Sequence, residues 1–299
     1  MSRICIVGLG LMGGSLAWAL RPHVSALVGV DRDEETVAAA LAAGVIDAGT
    51  TDFAAGVQSA DLVVLATPVR AILHLLADLP RARPEGCQAL DLGSTKGTIC
   101  AAMDELPPAF AAIGGHPMCG KETAGFAAAT PDLFRGQTFV LCETARTTGA
   151  MAETAAQVVT WIGARALPMA AAAHDGVVAV TSHLPYLAAA ALMRQAAAAA
   201  MVERRVWPVS ASGLRDTTRI AGTNPDVMLD ILLTNRAAVL QQLRGFQARL
   251  VQLEDLLRRG DEAALRAWLV QAQVAHQSYQ QAKASPFLDQ EPTDGFERG

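Results

Sequence analysis

An α/β domain built on a parallel sheet, followed by an all-helical domain, is the fold class that three observations in the sequence predict. Short apolar, β-branched segments at Arg3 to Val7, Ala26 to Val30, Asp61 to Val69 and Gln88 to Leu92 alternate with stretches long enough for helices. That alternation is the mark of βα units and a parallel sheet. Between the first strand and the first helical pattern lies Gly8-Leu9-Gly10-Leu11-Met12-Gly13-Gly14-Ser15. After about Ala171 the alternation stops, and apolar residues recur at three- and four-residue spacing over long runs. The expected organisation is a Rossmann-type dinucleotide-binding domain over 1–169, a helical domain over 170–284 and a loose tail over 285–299.

The bulk numbers limit the classes of function. At 299 residues the chain has room for about two domains, each with its own core. It is 52% hydrophobic and 18% charged, and no uninterrupted apolar run reaches the roughly 18 residues that suggest a membrane span. A soluble protein with no membrane partner is expected. A net charge of -5 gives no basic footprint for nucleic acid. Five cysteines, Cys5, Cys87, Cys100, Cys119 and Cys142, include no C-x-x-C pair, which fits reduced thiols in a cytoplasm and suggests no metal site. The N-terminus shows no secretory pattern. The only lysines are Lys96, Lys121 and Lys283, the first two in glycine-bearing loops.

The glycine pattern gains its force from context, because it follows a strand and opens a helix. Gly8 permits a tight turn, Gly10 lets a pyrophosphate approach the backbone, and Gly13 lets helix and strand pack closely. The diphosphate would then face the positive helix end, beside Leu11 and Met12. The second strand ends in Asp31, near the expected spacing of about twenty residues. Its carboxylate would accept bonds from the adenosine ribose and repel a 2′-phosphate, favouring NAD; the guanidinium of Arg32 leaves NADP open. Asp31 would equally serve as an N-cap for the helix starting near Asp33.

The third and fourth strands end at Thr67-Pro68 and at Gly93-Ser94-Thr95-Lys96-Gly97, the edge where an open parallel sheet binds ligands. A further strand, Phe110 to Ile113, delivers Gly114-Gly115-His116-Pro117-Met118-Cys119-Gly120-Lys121-Glu122 to the same edge. Two glycines before the histidine and a proline after it suggest a loop whose imidazole is aimed, suited to accept a proton near neutral pH. A turn with a surface histidine is the plainer alternative. Ser94 is read as a site residue or as a cap for the helix near Thr98.

Further strands at Thr138 to Leu141 and Ala164 to Met169 flank a helix at Ala150 to Ile162. In the second half the periodicity predicts a helix from about His174 to Val202 kinked at Pro185, another from Pro225 to Arg259 and a third from Asp261 to Lys283. Thr181-Ser182-His183-Leu184-Pro185-Tyr186 sets polar groups on an apolar helix. Gly213-Leu214-Arg215-Asp216-Thr217-Thr218-Arg219 places two arginines at i,i+4 spacing, on one face if helical. They are read either as a carboxylate clamp through Arg219 or as a solvated face with Arg215 paired to Asp216.

Taken together, GLGLMGGS, ATPV, DLGSTKG, GGHPMCGKE, TSHLP and LRDTTRIAG, in that order, resemble the prephenate and arogenate dehydrogenases of tyrosine biosynthesis. The resemblance runs from the glycine motif to about Lys283. It implies NAD(P)-dependent oxidative decarboxylation of prephenate or arogenate by a homodimer whose helical domain forms the interface. It also implies that His116 takes the proton of the ring hydroxyl, that Ser94 orients it and that Arg219 holds the ring carboxylate. By the same likeness His183 and Glu122 line the pocket and Arg215 is a basic position nearby. Tyr186 and Leu229 stand where many relatives carry a histidine and some a tryptophan, which leaves the choice of substrate open. The rivals are another two-domain hydroxy-acid dehydrogenase, disfavoured because the helical half has only Lys283, and a non-catalytic dinucleotide-sensing dimer.

Overall fold

The structure is a computed structural model describing residues 3–121 and 123–284, so Glu122 and the expected tail, 285–299, lie outside the described residues. The first half runs β1 (Arg3–Val7), α1 (Leu11–Leu20), β2 (Ala26–Val30), α2 (Glu34–Ala42), β3 (Ala48–Thr50), α3 (Phe53–Val57) and β4 (Leu62–Leu65). It continues through α4 (Val69–Ala82), β5 (Gln88–Asp91), α5 (Gly97–Asp104), β6 (Ala111–Pro117), β7 (Thr138–Glu143), α6 (Gly149–Trp161) and β8 (Arg165–Pro168). The strands form one eight-stranded sheet in the order β3-β2-β1-β4-β5-β6-β7-β8.

Alternation along β1 shows how this sheet is buried. Ile4 and Ile6 enter one apolar cluster with Leu16, Leu20 and Val158, while Cys5 and Val7 enter another with Ile72, Leu76 and Ile99. Both faces are covered, as a sheet of parallel strands requires. The sheet is parallel, as expected of this fold class, except at one pairing: β7 runs antiparallel to β6. A return of that kind needs no crossover helix, and among its described residues the connection between the two strands carries one helical element, the 3-10 turn at Phe126–Ala128.

Pairing with β7 also moves His116. The sequence suggested a strand ending at Ile113 and a histidine on a loop, but β6 continues to Pro117, with His116 opposite Val140. Gly114 and Gly115 serve close packing there. A Cβ on Gly114 would lie 2.7 Å from the Cys100 Sγ, and one on Gly115 would lie 2.5 Å from the Asp91 carbonyl oxygen.

The second half comprises α7 (Ala171–Val178), a π turn (Ala179–His183), α8 (Leu184–Val202), α9 (Ser212–Thr218), α10 (Pro225–Thr234), α11 (Arg236–Arg259) and α12 (Glu262–Ala284). The break expected at Pro185 is the π turn just before it. Pro185 sits in the first turn of α8, directly after the π turn, and its missing N–H interrupts the helical hydrogen-bond ladder at that point. The single helix expected over Pro225 to Arg259 is two, split at Asn235, whose side chain is drawn into tertiary hydrogen bonds. The stretch Ala171–Val202 contains an 18-residue window of mean hydropathy 1.5 and is, by length and composition alone, long and apolar enough to cross a membrane, although the stretch also carries His174, Asp175 and His183.

The chain divides into two compact units between Gln242 and Leu243, inside α11. The first holds the sheet and the helices through α10. The second, the remainder of α11 with α12, exposes Leu250, Val251, Leu257, Leu269 and Val274.

Candidate active site

The glycine loop is shaped by contacts that leave no room for side chains. Gly8 has φ 94°, a left-handed conformation that glycine adopts without strain. A Cβ on Gly13 would lie 1.8 Å from the Gly8 carbonyl oxygen, while one on Gly10 would meet nothing within 4 Å. The open side of Gly10 faces the start of α1, which has no side-chain cap and no acidic residue in its first turn. Backbone N–H groups there are oriented for an anion. Asp31 fastens this loop: its Oδ2 accepts the Leu9 N–H at 2.7 Å and its Oδ1 the Asp33 N–H at 3.1 Å. The cap of α2 is Asp33, which accepts from Glu35 N, and not Asp31.

A cavity of about 990 Å³ opens beside the loop. Gly10, Leu11, Met12, Arg32, Thr67 and Pro68 line one part of it, and Ser94, Lys121, Arg219 and Asn224 line another. The Thr67 hydroxyl oxygen is buried on this wall without a hydrogen-bond partner, an arrangement that is costly unless a ligand or water completes it. Arg219 starts the 3-10 turn that ends α9, and α10, capped by Asn224 on the Asp226 N–H, brings Val227 and Ile231 to the same wall. Arg70 at the start of α4 holds α10 in place, donating to both oxygens of Asp230, 2.5 Å from Nε and 3.3 Å from N. The hydroxyls of Thr95 and Thr234 lie 2.9 Å apart in a second link.

Near the end of β6, His116 enters a buried polar cluster. Its Nδ1 lies 2.8 Å from the His174 Nε2, and the His174 Nδ1 lies 2.9 Å from the Asp175 Oδ1. Asp175 also accepts the Lys96 and Gly97 N–H groups at 2.7 and 2.8 Å. Burial would push that carboxyl up, but the hydrogen bonds from His174, Lys96 and Gly97 outweigh it and hold it below the usual range. Burial, then the Lys96 ammonium, then His174 and His183 hold the His116 imidazole well below 6.5, so it is neutral near pH 7. Burial pushes His183 down to about 4 despite Asp175. Asn235 donates from Nδ2 to the Asp175 carbonyl oxygen at 2.7 Å and approaches the His183 Nδ1 at 3.3 Å.

Several residues singled out in the sequence are not gathered together. His116, His183, Arg215, Tyr186 and Asp31 are not on the cavity wall, whereas Ser94 and Arg219 are. The contact described for the His116 ring is with His174, and no described hydrogen bond joins it to Ser94. The helix ends at Thr218, so Arg215 and Arg219 do not share a helical face. Arg215 is exposed and donates to Asp216 at 2.9 Å, the plainer of the two alternatives. Tyr186 is half-buried on α8. Among the described residues no group of His, Cys, Asp or Glu is arranged for a metal ion.

Sequence reasoning passed over His174, Asp175, Asn235 and the pairing of Lys96 with Asp91. A signal existed for the first two: adjacent ionisable residues in an alanine-rich helical start are out of place unless they meet partners. Asn235 gave no such signal, since an asparagine between apolar runs reads as a surface residue.

Known proteins resemble this chain along most of its length. Residues 16–168 match the family model described as prephenate dehydrogenase, nucleotide-binding domain, and residues 170–271 match prephenate dehydrogenase, dimerization domain. The chain is 35% identical over 243 residues to a prephenate dehydrogenase of Bacillus subtilis, a match covering 80% of this chain and 66% of that one. It is 32% identical to a cyclohexadienyl dehydrogenase of Zymomonas mobilis over 86% of this chain and 89% of the relative. A solved prephenate dehydrogenase from Aquifex aeolicus, in complex with hydroxyphenyl propionate and NAD+, superposes with a TM-score of 0.87 at 31% identity, covering 93% of this chain and 98% of that one.

Proposed function

Since the chain belongs to the prephenate dehydrogenase family of oxidoreductases, we propose that it carries out NAD(P)-dependent oxidative decarboxylation in tyrosine biosynthesis, acting on prephenate, arogenate or both. The products would be 4-hydroxyphenylpyruvate and tyrosine. The observation that carries this reading is a cavity bordered by the glycine loop, Ser94 and Arg219. A dinucleotide and a small carboxylate would find their recognition groups in one cleft.

The residues present fit a dinucleotide. The open side of Gly10, the uncapped start of α1 and the unpartnered Thr67 hydroxyl offer room and donors. Gly8, Gly10, Leu11, Met12 and Gly13 would hold the diphosphate, and Thr67 and Pro68 would border the nicotinamide end. Asp31 would accept from the ribose with the lone pairs left beside its loop contacts, which favours NAD. Arg32, also on the wall, is the group that would pair with a 2′-phosphate. When bound, the oxidised nicotinamide supplies the acceptor for the hydride leaving C4 of the substrate ring.

The chain's own residues then have defined tasks. His116 accepts the C4 hydroxyl proton as the hydride departs, helped by Ser94 in holding that hydroxyl. Arg219 fixes the ring carboxylate until the bond to it breaks, when carbon dioxide leaves and the bonding electrons complete the aromatic ring. The resulting phenolate takes a proton back from His116, so no net proton is released. Positioned proton transfer typically contributes about 10²–10⁴-fold. His183, Arg215, Glu122 and Tyr186 are assigned to the surroundings of the substrate.

We also propose a division into a nucleotide-binding domain over 1–169 and a helical domain over 170–284, with the latter pairing two copies. The description of the family matched over 170–271 supports a homodimer, as do the exposed Met201, Val202, Leu250, Val251 and Leu257. A cytoplasmic setting fits the five free cysteines. The test is an initial-rate matrix: prephenate or arogenate, each with NAD or NADP, following reduced nicotinamide. Turnover in one or more combinations is expected, and the fastest assigns substrate and cofactor. No turnover in any, by folded protein that binds NAD, would refute the proposal.

A further inference from the structure

The contacts of His116 continue beyond its neighbour. Its Nδ1 meets the His174 Nε2 at 2.8 Å, the rings stand edge to face at 70°, and the His174 Nδ1 meets the Asp175 Oδ1 at 2.9 Å. We propose that Asp175 and His174 are positioning residues that fix His116 as its Nδ1–H tautomer, leaving Nε2 as the lone pair that accepts the substrate proton. The inference rests on the dehydrogenase reading above and names the part of the protein that makes its base competent.

The argument is a count of donors and acceptors. Asp175 receives backbone N–H groups on both oxygens, from Lys96 at Oδ1 and Gly97 at Oδ2, so it acts as an acceptor throughout and the His174 Nδ1 must donate. A neutral His174 then presents a lone pair at Nε2, and a close contact with the His116 Nδ1 requires that atom to carry hydrogen. Two neutral rings in this geometry satisfy both contacts in only this way. The chain is held firmly. His174 is 1% exposed, and Asn235 grips the Asp175 carbonyl. When His116 gains the proton, its Nδ1–H bond to His174 strengthens, and the Asp175 carboxylate lies one ring further on to balance the charge.

The groups facing His116 from the surrounding elements enter any pH argument. Lys96, paired with Asp91, comes from the β5–α5 turn, His174 and Asp175 from α7, and His183 from the π turn. The Lys96 ammonium opposes protonation of His116, as do His174 and His183 through their charge; the hydrogen bond from the His116 Nδ1–H to a lone pair on His174 favours it, and that bond is what a substitution at His174 removes. Removing that acceptor therefore weakens the base, and the acidic limb of kcat/KM moves to lower pH.

The experiment has two independent readouts. In the full chain labelled with ¹⁵N-histidine, nitrogen shifts report the His116 tautomer without any substrate. The wild type should be Nδ1–H; a predominantly Nε2–H ring would overturn the inference. For the reaction, His174→Phe removes the acceptor and His174→Gln retains an amide oxygen able to accept. We expect kcat of His174→Phe to fall about 10²-fold with substrate KM and NAD affinity within about twofold, and the acidic limb to move down; His174→Gln should recover part of the loss. Equal losses in both variants with an unmoved limb would also overturn it. An Nδ1–H ring in a protein that turns over neither acid would refute the proposed reaction and leave the relay standing.

Discussion

Lys96 is wholly buried with its ammonium on the Asp91 carboxylate, and it donates as well to the Gly115 carbonyl at 2.7 Å, one residue before His116. The Gly93 and Gly115 N–H groups complete the Asp91 carboxylate at 2.7 and 3.0 Å. The pair therefore ties the ends of β5 and β6 at the point where the site begins. Removing one partner of such a pair strands a charge: Lys96→Met should cost about 3–5 kcal/mol. Urea unfolding measures this, and Asp91→Asn added to Lys96→Met should restore part of the loss. An unchanged midpoint in the single variant would contradict the role assigned to the pair.

His116→Asn keeps a polar side chain at the end of β6 but removes a base. Turnover should fall about 10²–10⁴-fold. NAD affinity should be unchanged, since the glycine loop is untouched. Normal turnover would remove His116 from the mechanism.

Arg219 is exposed on the cavity wall, so its bond to a carboxylate is not that of a deeply buried pair. A charge-assisted hydrogen bond of about 1.5–3 kcal/mol converts to a KM raised roughly 10- to 100-fold in Arg219→Ala. Arg215→Ala should change KM far less, because Arg215 already pairs with Asp216 away from the wall. Steady-state kinetics of the two variants decide this; a larger effect at Arg215 would reverse the assignment.

His183 is 1% exposed, and burial lowers its pKa from 6.5 to about 4. Between those values the unfolded chain binds the proton and the folded one does not. Its contribution to stability is therefore complete above about pH 6.5 and declines as pH falls toward 4. Thermal unfolding measured from pH 7.5 to 4.5 should show Tm falling with pH, and His183→Gln should flatten that slope. A slope identical in the variant would assign the acid sensitivity to other groups.

Much of this was legible beforehand because it depends on local chemistry. The glycine spacing from Gly8 to Gly13 is imposed by a turn and a helix packed within van der Waals distance of it, and that requirement is written in consecutive residues. The alternation of Ile4 and Ile6 with Cys5 and Val7 likewise announces a strand buried on both faces. Ser94 was visible as a polar group at the end of a strand whose order places it at the ligand-binding edge, and Arg219 as one of two arginines at i,i+4 spacing in the helical half.

What only the tertiary structure decided involves residues far apart in the chain. His116 belongs to a strand because Val140 stands opposite it, and no local signal reports a partner strand that returns after a long connection. The chosen neighbour of its Nδ1 is His174, 58 residues away, and the helix at Asn235 breaks because its amide is taken by Asp175. The sequence by itself determined the fold class, the glycine loop and most of the chemical groups of the site. Which of those groups touch was decided by packing, since a hydrogen bond between distant residues depends on where two elements meet and leaves no periodic trace in either.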